Sequence, residues 1–171
     1  MMDKMLKTVL KEITPDTDLK TKAKKFASEL NTIIRSNHIK ARCVIGGSVA
    51  KDTYLKNDCD VDLFVLFDLG YKSVNLSDLL EKCLIKWSYE RVHGSRDYFQ
   101  INSGVTYEIV PVLDIKNKAS AQNVTDFSPM HVEWVKSNKK YVDDIRLSKQ
   151  FFKANNLYGA ESYVKGSQVM F

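Results

Sequence analysis

The sequence predicts an α+β fold built on a mixed β-sheet. Residues 61–67 (VDLFVLF) are almost entirely apolar and rich in strand formers, and this run is too short for a buried helix. Two further strand-like runs are joined by Ser103-Gly104, which is typical of an antiparallel hairpin. Helical segments stand between the strands at irregular intervals, so a regular βαβ repeat is excluded.

The chain begins with two predicted helices. Residues 1–13 carry their apolar side chains on one stripe at helical spacing. Thr14 can cap a second helix and Pro15 suits its first position, and the apolar pattern of that helix continues to about Ser36. The remaining predicted elements are strands at 41–45 and 61–67, a helix at 76–87, strands at 91–102 and 105–113, and helices at 129–137 and 141–155, the last ended by Asn155-Asn156 and Gly159.

The composition of the 171 residues excludes several classes of protein. Glycine (7) and proline (3) are too scarce for a collagen-like or low-complexity chain. No apolar stretch approaches the length of about 18 residues that a membrane span needs, and the first residues lack the pattern of a secretory signal. The three cysteines lack a CxxC spacing, so we expect neither a disulfide framework nor a structural zinc site, and we predict a cytoplasmic protein.

The charge distribution is uneven along the chain. The formal net charge is +5, yet residues 57–126 are acidic and both flanking segments are basic. This pattern fits an enzyme that binds divalent metal ions in its centre and polyanions around them. It fits ordinary solvated helix faces equally well, so charge alone does not choose between these interpretations.

Gly46, Gly47 and Ser48 stand between a predicted strand and the predicted start of a helix. Glycines there let the backbone approach a ligand closely, and the free N–H groups of a helix start can hold a phosphate together with a serine hydroxyl. A Gly-Gly-Ser sequence is more often only a turn, so this motif needs support from the rest of the chain.

Three carboxylates are placed on predicted strands. Asp60 and Asp62 are two residues apart, so their side chains project from the same face of a strand. Adjacent carboxylates repel each other unless a cation lies between them, although a lone Asp-x-Asp also fits a solvated acidic turn. Glu108 shares a face with Val110 and Val112, where an acid is either at an exposed edge or functional.

Taken together, these residues are the parts of a two-metal nucleotidyltransferase site. Ser48 and Asp60 are 12 residues apart, which leaves room for one short helix and a turn before the next strand. Two divalent ions about 3.5–4 Å apart can clamp an attacking hydroxyl and a leaving pyrophosphate. Three carboxylates suffice, because triphosphate oxygens and waters fill the other coordination positions.

The segment GGSVAKDTYLKNDCDVDLFVLF resembles the signature of the DNA polymerase beta-like nucleotidyltransferase superfamily. Further segments, YEIVPVLDI, SPMHVEWVKSN and IRLSKQFFKANNLYGAE, are similar to those of archaeal-type (class I) CCA-adding tRNA nucleotidyltransferases. The resemblance covers roughly residues 15–165. It implies a polymerase-beta-like nucleotidyltransferase fold, with a catalytic domain at 1–125 and a truncated, helical, neck-like nucleotide-binding extension at 126–171.

The resemblance also implies roles for individual residues. It makes Asp60, Asp62 and Glu108 the catalytic carboxylates that hold two Mg²⁺ ions, although the family usually has aspartate at the third position. The residues that it places at the incoming nucleotide are Gly47, Ser48, Lys51, His131, Lys149 and Tyr158. The family usually has arginine where this chain has Lys51, and lysine keeps the charge but loses the bidentate fork.

The residues alone leave alternatives for three of these positions. Lys149 lies on the apolar stripe of its helix, where it either reaches out to solvent or binds an anion. His131 also fits a structural hydrogen bond in a first helical turn, and Tyr158 also fits a core aromatic residue beside Gly159.

The implied activity is transfer of CMP or AMP from CTP or ATP to an RNA 3′ end, with the tRNA acceptor end as the expected substrate. Alternatives with the same chemistry use another acceptor, either an oligoadenylate or a protein. A further alternative is a nucleotide-binding half of a split enzyme, which needs a partner subunit or self-association through its apolar C-terminal end, Val169-Met170-Phe171. The blandest interpretation, a basic α+β domain with accidental motifs, does not explain several segments that agree in order. No membrane partner is expected.

Overall fold

The computed structural model describes residues 2–16, 18–57 and 60–158. The strands found in these ranges are β1 (Ala41–Ile45), β2 (Val61–Phe67), β3 (Glu90–Val92), β4 (Tyr98–Asn102) and β5 (Thr106–Leu113). The α-helices in the same ranges are α1 (Met2–Ile13), α2 (Leu19–Ser36), α3 (Gly47–Lys51), α4 (Leu76–Glu81), α5 (Ser128–Ser137) and α6 (Val142–Ala154). The predicted strands at 41–45 and 61–67 are confirmed, and so are the helices that we placed at 1–13, 129–137 and 141–155, within one residue at each described end.

The strands form one mixed sheet in the order β1-β2-β5-β4-β3. The central pair β2 and β5 is parallel, whereas β1–β2, β5–β4 and β4–β3 are antiparallel. The predicted α+β class with a mixed sheet is therefore confirmed. The parallel register places Asp62 of β2 opposite Glu108 of β5.

The two faces of β2 are buried in different clusters. Leu63, Val65 and Phe67 belong to the main core, which also contains the buried face of α2. Phe64 and Leu66 point to the other face, where they form a smaller cluster with Val112. Because both faces are covered, β2 has the nearly continuous apolar sequence that is typical of a central strand.

The predicted start of the second helix is wrong. The helix α2 begins at Leu19 and is capped by Asp18, whose side chain accepts a hydrogen bond from the backbone N–H of Thr21 at 3.0 Å. Thr14 instead ends α1, since its hydroxyl donates to the carbonyl of Leu10 at 2.6 Å. Thr14 and Asp18 are both residues that can cap a helix, and Asp18, which directly precedes Leu19, is the one that caps α2.

Two other predicted elements are only partly correct. The helix placed at 76–87 ends at Glu81, and the turns that follow bury Cys83 and Leu84 in the core. The strand placed at 91–102 is two strands, because the chain turns between β3 and β4. Arg91 holds this turn through ion pairs of 2.9 Å with Asp97 and 2.8 Å with Glu81.

A buried ion pair fixes the C-terminal end of β5. Asp126 is 1% exposed and accepts hydrogen bonds from Arg96 at 2.6 Å and from the backbone N–H of Leu113 at 2.9 Å. It also accepts from the backbone N–H groups of Gln122 and Asn123, each at 3.0 Å. This carboxylate thereby joins the end of the sheet to the loop that leads into α5.

The helices of the predicted extension pack on the rest of the chain: α5 lies against α3, and α6 lies against α1. The division at residue 125 stays a prediction, and Gly159 and the apolar end 169–171 lie outside the described residues. No helix in the described ranges is both long and apolar enough to cross a membrane. Cys43 and Cys83 are buried free thiols, while Cys59 lies outside the described residues.

Candidate active site

The Gly46-Gly47 turn brings the start of α3 against β2. The backbone N–H of Gly46 donates to the carbonyl of Asp62 at 2.8 Å. Gly47 has a φ of +52°, which disfavours any residue with a Cβ, and a Cβ there would also overlap the carboxylate of Asp62. A Cβ on Gly46 would overlap the ring of Phe64. Both glycines are therefore required by close packing on β2, and Ser48 follows as the second residue of α3.

The predicted carboxylates are brought to one end of the parallel strand pair. Asp62 and Glu108 lie opposite each other on β2 and β5, and Asp60 lies exposed just before β2. Burial raises the pKa of Asp62 to about 6, and the negative charges of Glu108 and Asp60 contribute in the same direction. The positive charges of Lys51 and Lys149 lower that pKa, but they do not outweigh the other effects. Asp62 is thus a carboxylate that this fold holds in an unfavourable place for a negative charge.

Glu108 is oriented by a neighbour on the other side of β5. The side-chain amide of Gln100 on β4 donates to Oε1 of Glu108 at 2.8 Å, and the two residues are directly opposite in the antiparallel register. Gln100 is not among the site residues predicted from the sequence. Gln100 is a polar residue between apolar residues on a predicted strand, which indicates the face on which it lies. Only the pairing of β4 with β5 shows that this face is shared with Glu108.

Hard divalent cations prefer carboxylate oxygens, which is the kind of donor that gathers here. As their side chains stand, no group of three or more His, Cys, Asp or Glu residues in ranges 2–16, 18–57 and 60–158 is arranged to hold a metal ion. The raised pKa of Asp62 nevertheless reflects burial first and then the negative charges of Glu108 and Asp60, which Lys51 and Lys149 do not fully offset. A cation among Asp60, Asp62 and Glu108 would neutralise these negative charges, so the chemistry of the donor set fits a divalent metal.

Lys51, the last residue of α3, places a positive charge near these acids. Burial lowers the pKa of Lys51, while the charge of Asp62 acts in the opposite direction. On α5, burial lowers the pKa of His131, and the positive charges of Lys51 and Lys118 lower it further. Lys51 is therefore within electrostatic reach of both Asp62 and His131, which brings three of the predicted residues together.

Lys149 extends from α6 into the protein. It is 9% exposed, and its Nζ donates to the backbone carbonyl of Thr53 at 3.1 Å and to the hydroxyl of Thr53 at 3.4 Å. The alternative in which Lys149 reaches out to solvent is therefore wrong. Thr53 is fully buried and was missed by the sequence analysis, because nothing in the sequence pairs the end of α3 with α6.

Tyr158 is the last described residue and belongs to the same surroundings. Burial raises the pKa of its phenol, and the negative charge of Asp62 raises it further. The ammonium of Lys153 lies 5.5 Å from the centroid of the Tyr158 ring. Asp62 is thus the common neighbour to which Glu108, Lys51, Lys149 and Tyr158 are all electrostatically coupled.

Sequence comparison identifies relatives of this chain. Residues 27–142 match the model of the nucleotidyltransferase domain. The chain is 42% identical over 149 residues to a CCA-adding enzyme of Nanoarchaeum equitans, covering 85% of this chain and 38% of that enzyme. It is 33% identical over 178 residues to a CCA-adding enzyme of Thermococcus gammatolerans, covering 96% of this chain and 39% of that enzyme. The resemblance to archaeal CCA-adding enzymes is confirmed, and the chain spans about two fifths of their length.

Structure comparison agrees on the fold. A cytoplasmic RNA terminal U-transferase superposes with a TM-score of 0.62 at 19% sequence identity, covering 90% of this chain and 45% of that one. The predicted polymerase-beta-like nucleotidyltransferase fold with a helical C-terminal part is confirmed. Members of this family generally use a divalent metal. By its sequence and its fold, the chain belongs to the nucleotidyltransferase domain family.

Proposed function

We propose that this chain transfers a nucleotide from CTP or ATP to the 3′ end of an RNA, and that the acceptor is a tRNA. The 3′-hydroxyl of the acceptor loses its proton to solvent as its oxygen forms a bond with the α-phosphorus. The bond between the α-phosphorus and the oxygen that bridges to the β-phosphorus breaks, and pyrophosphate leaves. The observation that carries this proposal is the position of Asp62, opposite Glu108 and packed against Gly47. The similarity to CCA-adding enzymes supports tRNA as the acceptor.

Asp60, Asp62 and Glu108 are the proposed ligands of two Mg²⁺ ions. Magnesium, when bound there, would lower the pKa of the attacking hydroxyl and neutralise the triphosphate. Glu108 has one more methylene than the aspartate usual in the family, and its hydrogen bond from Gln100 limits where the carboxylate can lie. Gln100 is thus a proposed positioning residue for the third carboxylate.

The nucleotide is proposed to lie over the start of α3. Gly47 and Ser48 would present the helix start to phosphate oxygens. Lys51 and Lys149 would neutralise the triphosphate, since the positive charges of both already act on Asp62. His131 and Tyr158 would border the nucleotide from α5 and from the segment after α6.

A second candidate is a nucleotide-binding part of an enzyme whose remaining part is another chain. The match covers 38% and 39% of the two enzymes compared above. Such a part would bind CTP or ATP but would need a partner subunit to hold the RNA. The other possible acceptors are an oligoadenylate and a protein, and the transfer assay described below would show them as label on a product other than the tRNA. We propose the cytoplasm as its compartment, where buried thiols such as Cys43 and Cys83 stay reduced.

The test is incubation of the chain with Mg²⁺, labelled CTP or ATP, and a tRNA that lacks its 3′ end. The Asp60→Ala variant is run in parallel, with Asp144→Ala, an exposed acid on α6, as the matched control. Label on the RNA that is lost only in Asp60→Ala would support the transferase. Nucleotide binding without transfer would favour the second candidate, and equal transfer by both variants would contradict the assignment of Asp60.

A further inference from the structure

A cavity of about 690 Å³ lies between α2, α3 and the helices α5 and α6. Its walls carry cationic side chains from four helices and the turn between the last two: Lys20, Lys51, Lys136, Lys139 and Arg146. The acids in the same walls are Asp52 and Asp143, so the formal charge of the lining is clearly positive. A volume of this size is in the range of small-ligand sites, which is about 300–1,000 Å³.

Arg146 is the buried cation of this cavity. Its side chain is 9% exposed, and its terminal nitrogens donate to Asp143 at 3.1 Å and to Asp52 at 3.3 Å. Its Nε is buried and has no hydrogen-bond acceptor within the described part of the chain. A buried donor without an acceptor is unfavourable, and this Nε is not itself accessible from the cavity.

The other cations of the cavity differ in whether an acid of the protein already pairs with them. Lys20 pairs with Asp52 at 2.9 Å, and Lys136 pairs with Glu133 at 3.0 Å. Lys139 is exposed and makes no ion pair with any residue in the described ranges. Arginine and lysine together, converging from separate helices, are the side chains that bind phosphate groups.

The cavity adjoins the proposed active site without being part of it. Lys51 lines the cavity and also acts electrostatically on Asp62 and His131. The remaining residues that we propose for the metal and the nucleotide do not line the cavity, within the described part of the chain. A strand whose 3′ end reacts at Asp62 could therefore pass from the one site to the other along Lys51.

We propose that this cavity binds phosphodiester groups of the RNA acceptor strand, upstream of its reacting 3′ end. The inference rests on the proposed function, because that function supplies an RNA at the neighbouring site. Phosphodiesters are favoured over an acidic protein segment because the guanidinium fork matches a phosphate and because Lys51 connects the cavity to the site of phosphoryl chemistry. Binding of this kind is strongly weakened by salt.

The first experiment removes two cationic side chains from the rim. The double variant Lys20→Ala/Lys139→Ala is titrated with a fluorescently labelled tRNA lacking its 3′ end, at several salt concentrations. The affinity at low salt is expected to fall about tenfold, and the slope of log affinity against log salt to fall by about 1 to 2. The matched control is Lys72→Ala/Lys82→Ala, which removes two exposed lysines that do not line the cavity. Equal affinities of the two double variants would overturn the inference.

The second variant is expected to act in the opposite direction. Asp52 is exposed and has a φ of +61°, a conformation that asparagine tolerates, so Asp52→Asn removes a negative charge from the cavity at little cost in backbone strain. Its affinity for the tRNA is expected to rise about threefold, because it frees Lys20 and Arg146 for phosphate. A purely structural role for these ion pairs predicts no gain in affinity, and absence of a gain would contradict the inference.

Two competition arms separate the sources of the bound anion. Affinity for CTP without RNA should be the same in Lys20→Ala/Lys139→Ala and in the wild type; a loss would assign the cavity to free nucleotide instead. Polyglutamate is also added as a competitor, and displacement of the tRNA as efficient as that by unlabelled RNA would point to an acidic protein partner.

The proposed function and the proposed cavity can fail separately. RNA binding that depends on the cavity, without any nucleotide transfer, contradicts only the proposed transferase activity. Transfer with equal RNA affinity of both double variants contradicts only the cavity, and a wild type without RNA affinity also contradicts the cavity.

Discussion

The two ends of the parallel β2–β5 pair hold their carboxylates in opposite electrostatic states. At the beginning of the strands, Asp62 faces Glu108, and burial together with these like charges raises its pKa to about 6. Beyond the end of β5, Asp126 is 1% exposed and receives hydrogen bonds from Arg96 and Leu113. Burial alone would raise the pKa of Asp126, but these partners outweigh it and lower that pKa.

The difference separates a structural acid from the acid that we propose to be functional. Asp126 accepts hydrogen bonds from Arg96 and from three backbone N–H groups, so its negative charge is compensated by the protein itself. Asp62 instead has acids among its electrostatic neighbours, and the lysines nearby do not neutralise them fully. Such a group destabilises the fold by itself, and a divalent cation would reverse that contribution.

The largest expected effect is on activity at the uncompensated end. Asp62→Asn should lower nucleotide transfer by about 10³-fold or more, because it removes a proposed metal ligand whose contribution is several kcal/mol. The variant should remain folded, since it removes a charge that the fold does not neutralise. The measurement is transfer of labelled CTP or ATP to the truncated tRNA, with circular dichroism as the folding control. Transfer within tenfold of the wild type would contradict the metal assignment of Asp62.

The second expected effect is on stability at the compensated end. Asp126→Asn should lower the free energy of unfolding by about 3–5 kcal/mol, because it leaves the Arg96 guanidinium buried without its carboxylate. Urea denaturation measures this difference. The control is Asp114→Asn, which breaks an exposed ion pair of 2.9 Å with Arg42 and should cost about 0–1 kcal/mol. Equal losses in the two variants would remove the distinction drawn between buried and exposed pairs.

The third effect is a pH dependence of opposite sign at the two ends, measured without metal. The pKa of Asp62 is about 6 when folded and 3.8 in the reference state, so its ionisation destabilises the fold above pH 6, and this cost disappears as the pH falls toward 3.8. Asp62→Asn should therefore be more stable than the wild type at pH 8, by at most about 3 kcal/mol, with the gap closing near pH 4.

For Asp126, whose pKa is lowered on folding, the stabilisation is present above pH 3.8 and is lost as the pH falls through the folded-state pKa. Adding Mg²⁺ at pH 8 should raise the melting temperature of the wild type more than that of Asp62→Asn. A stability gap between the two proteins that does not change with pH would contradict the proposed state of Asp62.

The smallest expected effect concerns Lys149, which has both a structural contact with Thr53 and a proposed role in nucleotide binding. Lys149→Met should weaken binding of CTP or ATP by about tenfold, because it replaces a charged donor with an uncharged side chain of similar length. Thr53→Val, which removes one of the acceptors of Lys149 and keeps its charge, should change that affinity by less. Equilibrium binding without RNA measures both. If Lys149→Met lowers the melting temperature and leaves nucleotide affinity unchanged, the role of Lys149 is only structural, through its hydrogen bonds to Thr53.

Much of the local structure was predictable because it depends on short-range patterns. The apolar run of β2 and the strand β1 were predicted with their correct bounds, and Gly46-Gly47 was correctly placed at the strand-to-helix turn. The sequence did not reveal that the close neighbour of Gly47 is the carboxylate of Asp62. The helix at 76–87 was predicted too long, because Cys83 and Leu84 fill the core from turns with the same apolar spacing as a helix.

The sequence by itself determined the fold class, the faces on which Asp62 and Glu108 lie, and the chemistry that these side chains can support. Only the tertiary structure decided that β5 lies beside β2 in parallel register, which places these two residues opposite each other. It also decided that Lys149 turns inward to Thr53, and that Arg146 and four lysines line one cavity. The physical reason is that a periodic pattern specifies the buried face of one element, whereas the partner of that face depends on the packing of all elements at once.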